Sequence, residues 1–374
     1  MSATVCLVSN TIEYPEGGGL LWVYLNWALG LREAGAKVIW LEGVKTRVPE
    51  EKAIANAKIL NDQLAKFGLK DSLVLFRADE AGEKPVQGYP GLDGAAHADL
   101  LLNFQYGLSP VALKRFKKTA MVDIDPGMTQ TWISRGEVKH SPHDFYFTIG
   151  EHIGEPGSKV PDLGVKWHYT PPAVSLSHWP VVAAPASAPF TTVSHWSANE
   201  WMSDFDGSWY DNSKRAGYLP FLELPKLTKQ PLELAICLND EEEERANLLQ
   251  KGWRVRDSAP VSGTLEAYRQ FIQQSRGEFG CAKGAYTRSQ GAWISDRTVC
   301  YLASGKPSVV QNTGLSRFLP DRMGILRFNN PTEAAECLEL AAADYDRQSR
   351  AARALAEEYF DARKCARKVL ETTL

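Results

Sequence analysis

The sequence predicts two doubly wound α/β domains, each built on a mostly parallel sheet, followed by a helical tail. Three observations lead to this prediction. A chain of 374 residues exceeds the length that a single hydrophobic core usually serves. Short apolar runs alternate with helical patterns in both halves of the chain. A segment rich in proline and alanine separates the halves, and helical periodicity continues from Pro331 to the C-terminus.

The first half opens with a strand over 4–9, a helix over 18–35 and a second strand over 37–42. The helix is apolar on nearly all faces and ends at Gly35, as expected of a buried helix. A helix over 48–68 and four further strands complete the half; the strands lie at 72–76, 99–104, 118–125 and 145–150. Their apolar runs are continuous, which is typical of strands covered on both faces of a parallel sheet.

The alternation of strands and helices resumes after the linker. Strands are predicted at 190–196, 232–238, 252–257, 277–283 and 323–328. Helices are predicted after Asn239, where Glu241 to Glu244 complement the helix dipole, and over 263–275. These elements divide the chain into a Rossmann-like domain over 1–175, a linker over 176–189, a second Rossmann-like domain over 190–350 and helices over 351–374.

The composition limits the class of protein and of partner. With 44% hydrophobic and 23% charged residues and a mean hydropathy of −0.29, the chain is typical of a soluble globular protein. A net charge of −3 and an isoelectric point of about 6.2 argue against nucleic acid as the main partner. The N-terminus lacks the pattern of a signal peptide, and no apolar run is long enough for a transmembrane helix. Six scattered cysteines without a CxxC pair suit a cytoplasmic protein and indicate neither disulfides nor a zinc cluster.

The segment over 283–315 carries the residues best suited to bind a phosphate. It reads KGAYTRSQGAWISDRTVCYLASGKPSVVQNTGL and predicts a loop, a helix that ends near Ser304, a short strand and a turn. The free N–H groups and positive dipole end of a helix N-terminus attract phosphate oxygens, and glycine permits a close approach. The candidate ligands are Arg288, Ser289, Gly291, Ser295, Asp296 and Arg297. The alternative is that the serines only cap the helix and that Asp296 only complements its dipole.

Part of this segment, GAWISDRTVCYLASGKPSVVQNTGL, resembles the donor-site segment of bacterial GT-B glycosyltransferases. EGGGLLWVYLNWALGLREAGAKVIWLE is similar to their first loop, first helix and second strand, and RGEFGCAK and DYDRQSRAARALAEEYFDARK resemble a bacterial branch of that superfamily. The resemblance covers most of the chain and is clearest over 277–365. It implies two Rossmann-like domains that face each other across a cleft, with C-terminal helices that pack back towards the first domain.

The resemblance also implies roles for matching residues. The donor-loop residues Ser289, Gly291, Ser295, Asp296 and Arg297 would hold the diphosphate and sugar of the donor. Lys283 would lie near the phosphates, at the end of the preceding strand. His195 and Trp196, after the first strand of the second domain, would meet the nucleotide or the donor sugar; the alternative for Trp196 is a core aromatic residue.

Gly17, Gly18 and Gly19 match the flexible first loop of the family, whose backbone faces the donor; the alternative is a plain turn before the helix. The sequence departs from the family in two respects. It lacks the His-Cys-Gly-Trp start of the plant-type donor motif, and it lacks a clear Glu-seven-Glu pair. These departures leave open whether transfer inverts or retains the configuration of the sugar.

The catalytic base is sought among side chains that follow strands of the first domain. Asp125, in VDIDPGMTQTW, ends a strand at the edge where α/β proteins bind ligands, and it is the candidate for an acceptor-site role. The alternative for Asp125 is a loop cap, and His152, after the strand over 145–150, is the competing base. Asp123 and Asp125 have DxD spacing, but such pairs arise easily among 45 acidic residues, so no metal site is predicted.

Four of the eleven tryptophans are clustered along the chain, namely Trp179, Trp196, Trp201 and Trp209. Exposed aromatic rings stack on sugars, but such clusters more often brace a joint between domains. We therefore predict a structural role for them and no carbohydrate platform.

The predicted function is the metal-independent transfer of a sugar from a nucleotide-diphosphate donor, with a UDP-sugar expected, to a hydroxyl of a small molecule or glycan. No cofactor is expected besides this co-substrate, and nucleic acid is not the expected partner. Three alternatives stay open: a DNA-modifying sugar transferase, a sugar-nucleotide 2-epimerase and a non-catalytic subunit that binds a nucleotide sugar. The sequence indicates neither the acceptor nor the oligomeric state.

Overall fold

A computed structural model describes residues 2–79, 82–204, 207–238 and 241–374. The chain divides into two compact units. The first contains the residues up to Ile149, Pro161–Ser175 and Ala362–Leu374, and the second contains Gly150–Val160 and Leu176–Asp361. Each unit has its own mostly parallel sheet whose strands alternate with helices, which confirms the predicted class of two Rossmann-like α/β folds with a helical C-terminus.

The sheet of the first unit has eight strands in the order β4-β3-β2-β1-β5-β6-β7-β8. They are β1 (Thr4–Ser9), β2 (Lys37–Val44), β3 (Leu73–Asp79), β4 (Gly82–Pro85), β5 (Leu100–Asn103), β6 (Thr119–Asp123), β7 (Phe145–Thr148) and β8 (Trp167–Tyr169). All neighbours are parallel except β3 and β4. The sequence did not reveal β4 and β8, because one contains glycine and proline and the other has only three residues.

Four helices precede the second unit: α1 (Gly18–Glu33), α2 (Glu50–Lys66), α3 (Pro110–Leu113) and α4 (Met128–Ser134). A single 3₁₀ turn lies at Leu92–Gly94. Helix α1 is buried on most of its circumference, as its apolar sequence predicts. It follows β1 directly, so its N-terminus lies at the carboxyl edge of the sheet.

The sheet of the second unit has six parallel strands in the order β13-β12-β9-β14-β15-β16. They are β9 (Phe190–His195), β12 (Leu232–Cys237), β13 (Arg254–Asp257), β14 (Gly277–Gly280), β15 (Ser308–Gln311) and β16 (Ile325–Phe328). A separate hairpin, β10 (Trp201–Ser203) and β11 (Trp209–Asp211), follows β9 and was not predicted. Aromatic rings fill the core between the layers: Phe279 stacks on Phe328 at 5.4 Å, and Phe221 meets Phe328 edge-on at 5.1 Å.

The helices of the second unit are α5 (Lys214–Tyr218), α6 (Glu242–Gln250), α7 (Ser258–Ser262), α8 (Leu265–Gln274), α9 (Gly284–Ser289), α10 (Asp296–Ala303), α11 (Pro331–Ala343) and α12 (Tyr345–Leu355). Two 3₁₀ turns lie at Leu219–Phe221 and Leu224–Lys226. The predicted start of α6 at Asn239 lies outside the described residues. The helix expected to end near Ser304 is α10, and part of the loop expected before it forms the short helix α9.

The C-terminal tail is helical, as predicted, but it divides between the units. A π-helical turn, Ala356–Phe360, ends the part that belongs to the second unit, and α13 (Ala362–Thr373) belongs to the first. The division therefore falls after Asp361 rather than at 351. Within the first unit α13 packs on α1, where a Cβ added to Gly30 would lie 2.3 Å from the carbonyl oxygen of Ala362. None of the helices in the described ranges combines the length and apolar character that a membrane crossing needs.

Candidate functional site

The predicted donor loop lies at the carboxyl edge of the second sheet, between α9 and α10. Gln290 and Ala292 adopt positive φ angles of 52° and 54°, which give the loop its compact turn. The backbone N–H of Ala292 donates to the carbonyl oxygen of Thr313 at 2.9 Å, and the Thr313 hydroxyl donates to that of Trp293 at 2.7 Å. The Trp293 ring stacks on Tyr286 at 3.8 Å. The loop is therefore held by its own backbone and by one aromatic pair.

The predicted donor-loop residues have different surroundings. Ser295 caps α10, since its hydroxyl accepts from the backbone N–H of Arg297 at 3.2 Å. Ser289 is buried and donates to the carbonyl oxygen of Tyr286 at 3.2 Å, so its hydroxyl serves the short helix α9. Asp296 is the first residue of α10. A side chain at Gly291 would make only ordinary contacts, 3.8 Å from Ile153, so packing within the protein does not require glycine there.

Arg297 points inwards rather than towards solvent. Its Nε donates to Oε1 of Glu278 at 2.9 Å, and its Nη1 donates to the carbonyl oxygen of Val193 at 3.1 Å. Glu278 is fully buried, and Oε2 of its carboxylate has no hydrogen-bond partner among the described residues. Although burial disfavours the charge on Arg297, the attraction of Glu278 raises the pKa of the guanidinium. The pair places a buried cation below the N-terminus of α10.

Lys214 lies beside this pair, on helix α5. Its Nζ donates to the carbonyl oxygen of Cys281 at 3.1 Å and lies 5.9 Å from the centre of the Trp293 ring. Desolvation, with repulsion from Arg297 and Lys283, lowers the pKa of Lys214 to about 7. Arg297, Glu278 and Lys214 line one small cavity, together with Trp293 and Ser295; its volume is about 20 Å³, roughly the space of one water molecule.

Lys283 and Arg288 bind the β10–β11 hairpin instead of the cavity. Lys283 donates to both carboxylate oxygens of Glu200, at 2.9 and 2.7 Å. Arg288 pairs with Asp204, and its guanidinium lies 4.3 Å from the centre of the Tyr210 ring. These two predicted phosphate ligands therefore already have carboxylate partners.

The two residues predicted after β9 separate in the structure. His195 is exposed at the carboxyl end of the strand. Trp196 is a core residue, 1% exposed, whose Nε1 donates to Glu244 at 2.9 Å and whose ring lies 5.5 Å from that of Tyr218. The expected contact of Trp196 with a donor is thus wrong for this conformation, because the ring is covered on all sides, and the core alternative describes its placement.

In the first unit, acidic residues gather where β6 ends. Asp123 is fully buried and accepts from the side chains of Gln130 at 2.7 Å and Thr148 at 2.8 Å, and from the backbone N–H of Asp125 at 3.0 Å. Burial raises the pKa of Asp123 to about 6. Oδ2 of Asp125 accepts from the hydroxyl of Tyr106 at 3.0 Å. Three protein donors therefore hold the Asp123 carboxylate in place.

His152 belongs to a different unit from this carboxylate cluster. The segment Gly150–Val160 belongs to the second unit, although it was predicted within the first domain. There the ring Nε2 of His152 donates to the carbonyl oxygen of Leu315 at 2.8 Å. Neighbouring Glu151 is buried and accepts from the hydroxyl of Ser316 and the backbone N–H of Arg317. The two candidate bases therefore belong to different units.

The glycines of the first loop start helix α1. Gly17 is its N-cap, and Gly18 and Gly19 are the first residues of the helix. A Cβ at Gly17 would lie 2.1 Å from the ring of Tyr14, so a larger residue there requires that ring to move. The loop before them is fixed by Glu42, a buried carboxylate that accepts from the hydroxyl of Ser9 at 2.8 Å and the backbone N–H of Thr11 at 2.9 Å.

A second cavity, of about 540 Å³, opens at the carboxyl edge of the first sheet. Its volume lies within the range of small-molecule sites. Its lining is mixed in polarity, and the polar members include Ser9, Asn10, Lys45, Thr46, Gln105 and Ser109.

Sequence reasoning missed four side chains of these clusters: Glu42, Tyr106, Lys214 and Glu278. Glu42 and Glu278 carried a usable signal, since each is a carboxylate within an otherwise apolar strand, where an ionisable residue needs a buried partner. Lys214 carried only a weak one, as the first residue after the helix cap Ser213.

The fold can be compared with solved structures. An α-glucosyltransferase in complex with UDP and a 13-mer DNA containing a HMU base is similar over 100% of this chain and 99% of its own, with a TM-score of 0.61 and 9% identity. Sucrose-phosphate synthase from Thermosynechococcus elongatus is similar over 99% and 98%, with a TM-score of 0.56 and 12% identity. AviGT4, a glycosyltransferase involved in avilamycin A biosynthesis, is similar over 99% and 96%, with a TM-score of 0.58 and 15% identity.

The chain has the GT-B fold. The resemblance seen in its donor-loop segment is thereby confirmed at the level of the fold. No protein-family model and no curated protein sequence matches the chain. At such low identity the GT-B fold is what the comparisons establish, and the activity must be argued from the residues themselves.

Proposed function

We propose that this GT-B protein is a glycosyltransferase that transfers a sugar from a nucleotide-diphosphate donor to an acceptor hydroxyl. The observation that carries the proposal is the cluster of Lys214, Arg297 and Glu278 in one cavity at the start of α10. Two cations and one carboxylate leave a net positive charge, and the helix N-terminus adds its dipole. A departing diphosphate gains negative charge during transfer, so this arrangement stabilises the leaving group.

A UDP-sugar is the donor that we propose. In support, the α-glucosyltransferase of similar fold was solved in complex with UDP. Lys214 and Arg297 would contact the diphosphate, Ser295 and Asp296 the phosphate or sugar at the helix start, and exposed His195 the nucleotide. Gly291 would let the backbone approach the ligand closely, since it carries no side chain that would stand between the two.

The acceptor is proposed to bind the first unit, in the cavity at the carboxyl ends of β1, β2 and β5. Asp125 is the better candidate for the base, because it is a carboxylate that follows β6 at the carboxyl edge of the same sheet, oriented there by the hydroxyl of Tyr106. In His152 the ring Nε2 is engaged by the carbonyl of Leu315. We further propose a cytoplasmic location, where nucleotide sugars are made; none of the six cysteines forms a disulfide, in accord with a reducing compartment.

The test is a thermal-shift screen of the wild-type protein with UDP, GDP, dTDP, ADP and CMP. A ligand present at a hundredfold excess over Kd stabilises the folded state by about 2.7 kcal/mol. We expect UDP to give the largest shift, and Lys214→Met and Asp296→Ala to reduce it. The control Lys226→Met removes an exposed lysine of the same unit and should leave the shift unchanged. The absence of a shift with every nucleotide would reject the proposal.

A second assay addresses transfer itself. Release of UDP from UDP-glucose is measured with pooled sugars, with a DNA duplex and with water as the acceptor. Asp125→Asn should lower kcat by about 10²-fold or more if Asp125 is the base, while the Kd for UDP stays unchanged. UDP release that requires the duplex would favour DNA modification; the similar α-glucosyltransferase was solved with UDP and a 13-mer DNA.

A further inference from the structure

The β10–β11 hairpin displays two tryptophans on one face. In its register Trp201 pairs with Asp211 and Ser203 pairs with Trp209. Residues directly opposite each other, and residues two apart on a strand, lie on the same face of a sheet. Trp201 and Trp209 therefore share a face, in diagonal positions. Their side chains are 58% and 64% exposed, unlike Trp179 and Trp196, which are buried.

The opposite face anchors the hairpin to α9. Met202 is buried, and the Tyr210 ring lies against Gly284, where an added Cβ would be 2.9 Å from it. Oδ1 of Asn212 accepts from the backbone N–H of Ala285 at 2.8 Å. The ion pairs of Lys283 with Glu200 and of Arg288 with Asp204 add two more links. The tryptophans are thus presented by a rigid support whose other face is already occupied.

We propose that this tryptophan face binds a neutral oligosaccharide, with one sugar ring on each indole. The C–H face of a pyranose is apolar and packs on an aromatic ring by dispersion, while its hydroxyls find polar partners at the rim. Asp211, opposite Trp201 in the register, supplies such a partner. Two exposed indoles on one face lower the solubility of a protein, and exposed apolar groups of this kind often mark a binding site.

Charge distinguishes this occupant from a nucleic acid, whose bases also stack on aromatic rings. Residues 197–213 carry four carboxylates and neither lysine nor arginine. Lys283 and Arg288 neutralise two of these carboxylates from α9. Asp211 lies on the tryptophan face itself, where its charge repels a phosphate backbone and leaves neutral sugars unaffected.

The position of the hairpin connects this face with the donor loop. Its anchors are Lys283, Gly284, Ala285 and Arg288, which immediately precede the loop over 290–295. In this respect the inference rests on the proposed function: the bound oligosaccharide is the acceptor, or the growing product, of the transfer. Saccharide binding by the tryptophan face can nevertheless be measured without any transfer.

The experiment screens the full chain against an array of neutral and anionic oligosaccharides, together with single-stranded and duplex DNA. The strongest neutral hit is titrated by calorimetry into the wild type, Trp201→Ala, Trp209→Ala, the double variant and the corresponding phenylalanine variants. We expect each alanine to weaken binding about tenfold and each phenylalanine to retain most of the affinity, because a ring face is what the sugar needs. Leu249→Ala, which changes another exposed apolar residue of the same unit, on α6, is the matched control and should leave the affinity unchanged.

Titration of UDP into the same variants separates this inference from the proposed function. Unchanged UDP affinity with lost saccharide binding supports the tryptophan face as a subsite. Saccharide binding without any UDP binding in the wild type would reject the proposed function and keep the subsite. The inference is overturned if no neutral oligosaccharide binds, if the double alanine variant binds as well as the wild type, or if only DNA depends on the two tryptophans.

Discussion

The affinity for UDP should decrease as the pH rises above neutral, because the ammonium group of Lys214 is lost. Desolvation, with repulsion from Arg297 and Lys283, holds the pKa of Lys214 at about 7 in the free protein, against the opposing attraction of Glu278 and Cys281. A diphosphate beside Lys214 favours the charged form and raises that pKa, so binding takes up a proton. The contribution of Lys214 to UDP affinity is therefore fully present well below pH 7 and falls as the pH rises through the pKa of the free protein.

The magnitude follows from the same pKa. Lys214 is half protonated at pH 7 and about one-tenth protonated at pH 8, so Kd should rise about fivefold, or roughly 1 kcal/mol. The terminal phosphate of UDP loses its own proton near pH 6 and tightens binding as the pH rises, so measurements below pH 7 would mix the two effects. Calorimetry in two buffers of different ionisation heat should also show the uptake of about half a proton at pH 7.

The control is Lys214→Arg, whose guanidinium stays charged over this range and should give the same Kd at pH 7 and pH 8. Lys214→Met should bind weakly at both. A wild-type Kd that is constant between these pH values, or one that changes equally in the arginine variant, would refute the role of Lys214 as a diphosphate ligand.

Three further predictions concern stability. Glu278→Gln should lower the free energy of unfolding by about 3–5 kcal/mol, because it leaves buried Arg297 without its counter-charge. Urea denaturation measures the change, and a loss of stability under about 1 kcal/mol would contradict the prediction. Gly30→Ala should lower the free energy of unfolding by about 1–3 kcal/mol and make α13 sensitive to protease, because the new Cβ collides with the backbone of α13. Gly107→Ala meets open space and should leave the stability unchanged; equal denaturation midpoints for both variants would rule out the close helix contact. Gly314→Ala should lower the melting temperature, because its φ is +123° and its Cβ would lie 2.4 Å from a backbone oxygen; an unchanged melting temperature would show that the turn relaxes freely.

Much of the fold was predictable because most strands and helices have a recognisable pattern of apolar residues along the sequence. The continuous apolar runs at 4–9 and 232–238 became buried central strands, and the all-round apolar pattern of 18–35 became buried helix α1. Ser295 and Asp296 were found because a helix start has a local signature of cap and acid. Short elements such as β8 and the β10–β11 hairpin escaped, since three residues are too few to show a period.

The sequence by itself determined the class of the two sheets, the helical tail and the loop that starts α10, because these depend on neighbours along the chain. Only the tertiary structure decided which charges share a cavity: Lys214, Glu278 and Arg297 come from three separate elements, and no local pattern records that they meet. It also decided that Trp196 is core while Trp201 is exposed, although they lie five positions apart. Whether a side chain is buried depends on the residues that pack against it, and these come from segments distant in the sequence. The hydrophobic effect brings such segments together regardless of their order along the chain.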